Sequence, residues 1–287
     1  MKPFLKKSVK LFTEAAKHEK EKEMLEEFKK YLTNLGYSHS TIRGYLGDIH
    51  NCLKRGVLDN CFNLKNANLL IESGLSAASM HRYTASIKKL FKFKGMSNPL
   101  EHLSLPRIKN KLPKIVDKKG VFSLLSSELP SEILAAISIL YSTGCRIETL
   151  INIKVKDVKE NEIIFHIAKG GRPYTAILAE STKKVIQNYM KTTKRADIKN
   201  DYLFCKNNGN KLSTSALRMR MKRAMGENYI NPHAFRHSAA TELIANGAAL
   251  IDVSSFLNHA SISTTQRYIH LSTELKRKRL KNYHPML

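Results

Sequence analysis

Three prolines, Pro99, Pro106 and Pro113, divide this chain of 287 residues. Proline has no amide N–H and clashes with the preceding helical turn, so no helix runs unbroken through that stretch. Arg107, Lys109, Lys111 and Lys114 crowd around the last two of them. Residues 106–116 therefore read as an extended basic linker, and the hydrophobic pattern differs on its two sides. Residues 1–105 read as helical. Leu25, Phe28, Leu32 and Leu35 repeat at helical spacing and are expected in a core, with Gly36 as the stop. Ser40 is the expected cap of a second helix with Ile42, Tyr45, Leu46, Ile49 and Leu53 on its inner face. Met80, Tyr83, Ile87, Leu90 and Phe91 form a further stripe. Residues 117–287 are mixed. Ile133–Tyr141 reads as a buried helix ending near Gly144. Ile163–Ile167 and Tyr174–Leu178 read as a hairpin around Gly170, Gly171, Arg172 and Pro173, and Asn207–Asn210 marks another turn. The expected fold is mainly α with a small β component: a helical N-terminal domain, the linker, and a mixed α/β domain.

The charge restricts what such a chain binds. Lys and Arg number 49 against 24 Asp and Glu, a formal charge of +25. That balance implies a polyanion, either nucleic acid or an anionic membrane surface. No apolar run approaches the ~20 residues of a membrane span. The opening Met-Lys-Pro-Phe-Leu-Lys-Lys lacks the apolar core of a secretory signal. Nucleic acid is the better reading, and a cytoplasmic location is expected. Residues 1–110 carry 20 Lys and Arg against 10 Asp and Glu, and residues 111–287 carry 29 against 14. Both halves are therefore expected to grip one duplex. Arg43, Arg82, Lys88, Lys89 and Lys92 lie off the apolar stripes and are candidate phosphate contacts. Cys52, Cys61, Cys145 and Cys205 form no Cys-x-x-Cys pair and no zinc pattern, so neither a disulfide nor a metal is expected.

The last part of the chain carries the chemistry. Asn231-Pro232-His233 reads as a helix start, with Asn as cap and Pro in the first turn. Phe235, Ala239, Leu243 and Ile244 give that helix a core face, and Asn246-Gly247 ends it. His233 and Arg236 are three apart and share a face at the positive end of the helix dipole, which favours a phosphate and a neutral imidazole. Arg146 follows a glycine that turns the chain out of a buried helix. A pair of guanidiniums can clamp a phosphodiester. Lys169 ends a strand before Gly170-Gly171, with Arg172 beside it as the weaker alternative. His259 lies in Leu257-Asn258-His259, where asparagine tolerates a left-handed backbone. Ser263 and Gln266 have the spacing of a capping box just ahead of Tyr268. A tyrosine can attack phosphorus and hold it covalently.

Taken in order, Arg146, Lys169, His233-x-x-Arg236, His259 and Tyr268 resemble the signature of the tyrosine recombinases, the phage-integrase and Xer family. The resemblance covers residues 112–268 and extends more loosely over the N-terminal half, which is similar to the family's core-binding domain. Its most specific part is the block from Leu257 to Tyr268. The resemblance implies site-specific recombination of double-stranded DNA through a 3′-phosphotyrosine ester, without cofactor or metal, by a homotetramer on two target sites. It implies that Arg146, Arg236 and His259 hold the scissile phosphate, His233 takes the tyrosine proton, Tyr268 attacks, and Lys169 protonates the departing 5′ oxygen. Three positions depart from the family pattern. Arg146-Ile147-Glu148-Thr149-Leu150 stands where Arg-x-Ser-Glu-Leu is usual, Ala168 replaces the glycine before the lysine, and Asn258 replaces the glycine of Leu-Gly-His. In similar proteins a tail like Thr273–Leu287 docks on a neighbouring subunit; a basic helix resting on DNA is the competing reading. Two other functions share these features: a type IB topoisomerase, which uses similar chemistry as a monomer, and a DNA-binding protein without catalysis.

Overall fold

The computed structural model describes residues 19, 21–72, 74–108, 115–166, 173–193, 202–206 and 208–258. The chain divides into two compact units, Met1–Lys111 and Leu112–Leu287. Most of the linker expected at 106–116 lies outside the described residues.

The first unit is helical. Helix α1 covers residues 21–34, and α2 (His39–Lys54), α3 (Leu69–Glu72) and α4 (Ala77–Phe93) come after it. Phe28, Leu32, Ile42, Ile49, Tyr83, Ile87, Leu90 and Phe91 close over one core, so the apolar stripes do face inward. Two details differ from expectation. The cap of α2 is Ser38, whose Oγ accepts the Thr41 N–H at 3.3 Å, and not Ser40. The Tyr37 ring packs edge-on against Tyr45 with centroids 5.7 Å apart, which fixes where the chain enters the helix. Leu35 is 50% exposed, because α1 has ended and Gly36 turns the chain away at φ +75°.

The second unit begins with α5 (Lys118–Leu125), α6 (Ser131–Thr143) and the short α7 (Ile147–Leu150). Helix α6 is apolar on nearly every side. Ile133, Ala135, Ala136, Ile137, Ile139 and Leu140 are all buried. A helix hydrophobic all round belongs in a core, and α6 packs chiefly between α8 (Glu180–Thr192) and α10 (Pro232–Ala245). Strands β1 (Glu162–Phe165) and β2 (Tyr174–Ile177) pair antiparallel, with Glu162 opposite Ile177 and Phe165 opposite Tyr174. They form the only sheet among the described residues. The turn read at Asn207–Asn210 closes where Lys206 N–H donates to Asn210 and Cys205 bridges Lys211. Helices α9 (Thr214–Met225), α10 and α11 (Leu250–Phe256) complete the described part of the unit. The fold is mainly α with a small β component, as the sequence predicts. No described helix is long and apolar enough to cross a membrane.

Candidate active site

The site begins at the end of α6. Gly144 caps that helix in the left-handed region at φ +60°. A side chain there would meet more than strain: an added Cβ would lie 2.5 Å from Cε1 of Phe256. The α6 terminus therefore lies close against the end of α11. Two residues later Arg146 sits in extended backbone ahead of α7 and projects, partly exposed, toward the same place.

Helix α10 supplies the other two groups. Asn231 Oδ1 accepts the His233 N–H at 3.0 Å and Pro232 occupies the first turn, as expected. Arg236, one turn on, is only 4% exposed. A buried guanidinium needs partners for its charge. Its Nη1 donates to the Gly144 carbonyl, and its Nη2 donates to the Leu257 carbonyl at 2.8 Å. Both acceptors sit at helix C-termini, the negative ends of the α6 and α11 dipoles. Arg146 Nη1 reaches the next carbonyl, that of Asn258, at 3.4 Å. Asn258 itself takes φ +45°, the left-handed conformation expected of it. The two arginines thus converge on one short stretch of backbone, residues 257–258, immediately before His259.

His233 completes the described cluster. Its proton affinity is lowered, first by burial and then by the guanidiniums of Arg218, Arg236 and Arg146, with Glu148 pulling the other way. Burial, rather than the helix dipole alone, is what keeps this imidazole neutral. Glu148 pairs with Arg218 at 3.8 Å, so the glutamate beside Arg146 is directed to α9. Arg218 has no sequence signal that separates it from the three other cations of α9. Cys145 is buried and its thiol is pushed up to about 11, which suits packing and not reaction. Tyr174 on β2 is also near the pair: burial raises its phenol, while Arg236 and Arg146 oppose the rise. The hairpin end therefore lies within electrostatic reach of both arginines. Nothing in the sequence singles out Tyr174 among 11 tyrosines.

Among the expected catalytic residues, Arg146, His233 and Arg236 are brought together. Lys169, Arg172, His259 and Tyr268 lie outside the described residues, as does the tail. In the first unit Arg43, Lys88 and Lys92 are exposed on α2 and α4. Arg82 is held differently. Its guanidinium lies 3.0 Å from the buried carboxylate of Asp48, which also accepts from Ser86 at 2.9 Å. Its charge is already paired within the unit.

Residues 112–274 match the phage integrase family. The chain is 31% identical to the tyrosine recombinase XerD of Listeria monocytogenes, with 92% of this chain and 99% of that one aligned. It is 31% identical to the tyrosine recombinase XerA of Pyrococcus horikoshii, over 88% of this chain and 90% of that one. Among solved structures, it is similar to a XerA recombinase, 26% identical with a TM-score of 0.52 over 92% of this chain and 99% of that one. The fold also matches a XerH site-specific recombinase solved on its difH substrate, with a TM-score of 0.64 at 24% identity over 85% and 80% of the two chains.

Proposed function

The chain belongs to the phage integrase family and is a tyrosine-type site-specific DNA recombinase; from that premise we propose which of its residues cut and rejoin the strand. Arg146, Arg236 and His259 bind the scissile phosphate and offset the charge that grows on its oxygens in the transition state. Tyr268 attacks phosphorus as His233 takes the phenolic proton. The bond to the 5′ oxygen breaks, Lys169 protonates that oxygen, and the 3′ phosphate stays on Tyr268. Attack by a partner strand's 5′ hydroxyl reverses these steps. The ester keeps the bond energy, so rejoining requires neither ATP nor a metal. The observation that carries this reading is the convergence of Arg146 and Arg236 on the backbone of residues 257–258, beside a His233 held neutral. The experiment is a denaturing gel. Tyr268→Phe is expected to bind DNA normally and form no covalent adduct, while the wild type forms its adduct in EDTA with DNA attached through the 3′ phosphate. Wild-type adduct from the mutant, or attachment through the 5′ end, rejects the assignment.

The partner is double-stranded DNA with a specific site. Exchange between two duplexes breaks four strands, and one tyrosine serves each, so a homotetramer on two sites is the proposed assembly. Arg43, Arg82, Lys88, Lys92 and Arg172 are proposed contacts to the duplex backbone. The tail Thr273–Leu287 carries Leu275, Leu280, Met286 and Leu287 and is proposed to dock on a neighbouring copy. An apolar groove of about 460 Å³ on the second unit, lined by Phe122, Leu125, Tyr141, Val185, Leu243 and Phe256, supports that reading. Strand exchange on two-site DNA separates this function from the relaxation a type IB topoisomerase performs.

A further inference from the structure

Asp157 is a charged residue that the chemistry above does not use. It ends a 3₁₀ turn, Val155–Asp157, and is 2% exposed. Both oxygens of its carboxylate are engaged. Oδ2 accepts the Lys154 N–H at 2.9 Å, and Oδ1 lies 2.7 Å from Nε2 of His166. His166 is the residue immediately after β1. Its own side chain is 54% exposed. The backbone reinforces the connection, since Val158 bridges Ile163 and Lys159 N–H donates to Glu162 at 2.8 Å. The turn and β1 are therefore tied together at both ends of the strand, and Asp157–His166 is the tie nearer the hairpin tip.

The segment that carries Lys169 starts at this strand end. Phe165 pairs with Tyr174 across the ladder, their rings 4.8 Å apart. Everything between leaves from His166 and returns at Tyr174, beside the arginine pair. Lys169 is three residues beyond His166. Three residues of extended chain span at most about 11 Å, so the Lys169 Cα stays within that radius of His166 whatever path lies between. Fixing His166 narrows the positions open to the lysine. Proton transfer in a transition state depends steeply on such placement.

We propose that Asp157 and His166 are a positioning pair: the buried carboxylate anchors His166, at the end of β1 and three residues before Lys169, and so sets how well Lys169 protonates the departing 5′ oxygen. The inference rests on Lys169 being that acid. The half-exposed imidazole makes the idea separable from folding. Removing it admits water to Asp157, which keeps the carboxylate solvated, so the unit stays folded while the strand end loses its anchor.

The test uses the full chain and a duplex bearing the site it selects from random DNA. The scissile phosphate is prepared in two forms, with oxygen or with sulfur as the bridging 5′ atom. A thiolate departs without a proton, so only the oxygen substrate needs the acid. Lys169→Ala is expected to slow the oxygen substrate by about a hundredfold or more and to spare the sulfur substrate. His166→Ala should show the same selectivity with a smaller loss, roughly ten- to hundredfold on oxygen, at unchanged DNA affinity. His166→Gln, which keeps a donor for Asp157, should recover most of the rate. Equal slowing of both substrates by His166→Ala, no slowing, or weakened DNA binding would overturn the positioning pair while leaving Lys169 in its role. Equal slowing of both by Lys169→Ala would overturn the Lys169 assignment, and the pair with it.

Discussion

His233 and Gly144 show how single residues set the site. The folded protein holds His233 neutral through burial and three guanidiniums, so its proton affinity lies below the ordinary 6.5. An unfolded chain protonates this residue first as pH falls through 6.5, so its contribution to stability declines from there down to the lower folded value. The base stays available over the same range. Single-turnover cleavage is therefore expected to show no acidic loss until the pH falls below 6.5, and His233→Gln should abolish that acidic limb. A midpoint at or above 6.5 would contradict the role. At Gly144, alanine meets Phe256 at 2.5 Å and adopts an unfavourable left-handed backbone. The two effects together should cost about 2–5 kcal/mol in urea unfolding. They should also slow cleavage, because the displaced carbonyls are those that hold Arg236. The types and order of Arg146, His233 and Arg236 were legible in the sequence. Their mutual arrangement was not, since it is made by the main-chain carbonyls of Gly144, Leu257 and Asn258, which no side-chain letter encodes.

Element boundaries were legible where one residue decides them. Asn231-Pro232 leaves α10 no other start, because asparagine satisfies the free N–H of His233 and proline needs no acceptor. Asn231→Ala is expected to cost about 1 kcal/mol by chemical denaturation, with Asn231→Asp near wild type. A loss much smaller than that would mean the cap contributes little. At α2 two serines two residues apart compete, and a tertiary contact between Tyr37 and Tyr45 selects Ser38. Local pattern has no access to that contact. The same holds for α3 and α7, each only 4 residues long. Too few residues are present for a helical period, and packing rather than propensity holds such turns. Helix α6 was legible for the opposite reason. Its apolar run, broken only by Ser138 between Ile133 and Tyr141, fits a buried element, and Gly144 stops it.

At the scale of the whole molecule, the charge remains the controlling property. Each unit has a separate hydrophobic core, and each half carries excess cations: 20 against 10 over residues 1–110, and 29 against 14 over residues 111–287. A compact state with so much like charge is self-repelling, and a duplex relieves it. Every phosphate neutralised on B-DNA adds about −0.9 to the slope of log affinity against log salt. The slope therefore counts contacts, and it separates two ways of holding DNA. If both units grip one duplex, the full chain must have a steeper slope than residues 112–287 alone, and the difference measures the contacts made by the first unit. If Arg43, Lys88 and Lys92 make the proposed phosphate contacts, reversing all three in the full chain should make its slope shallower by about 3 × 0.9. Arg82 is the informative exception. Asp48 already sits 3.0 Å from its guanidinium and returns part of its charge, so Arg82→Ala should change the slope less than Lys88→Ala. Fluorescence anisotropy across a salt series reads all of these. An isolated second unit with the slope of the full chain would show that the first unit touches no phosphate, and the two-unit grip would be wrong even if every step at Tyr268 is right.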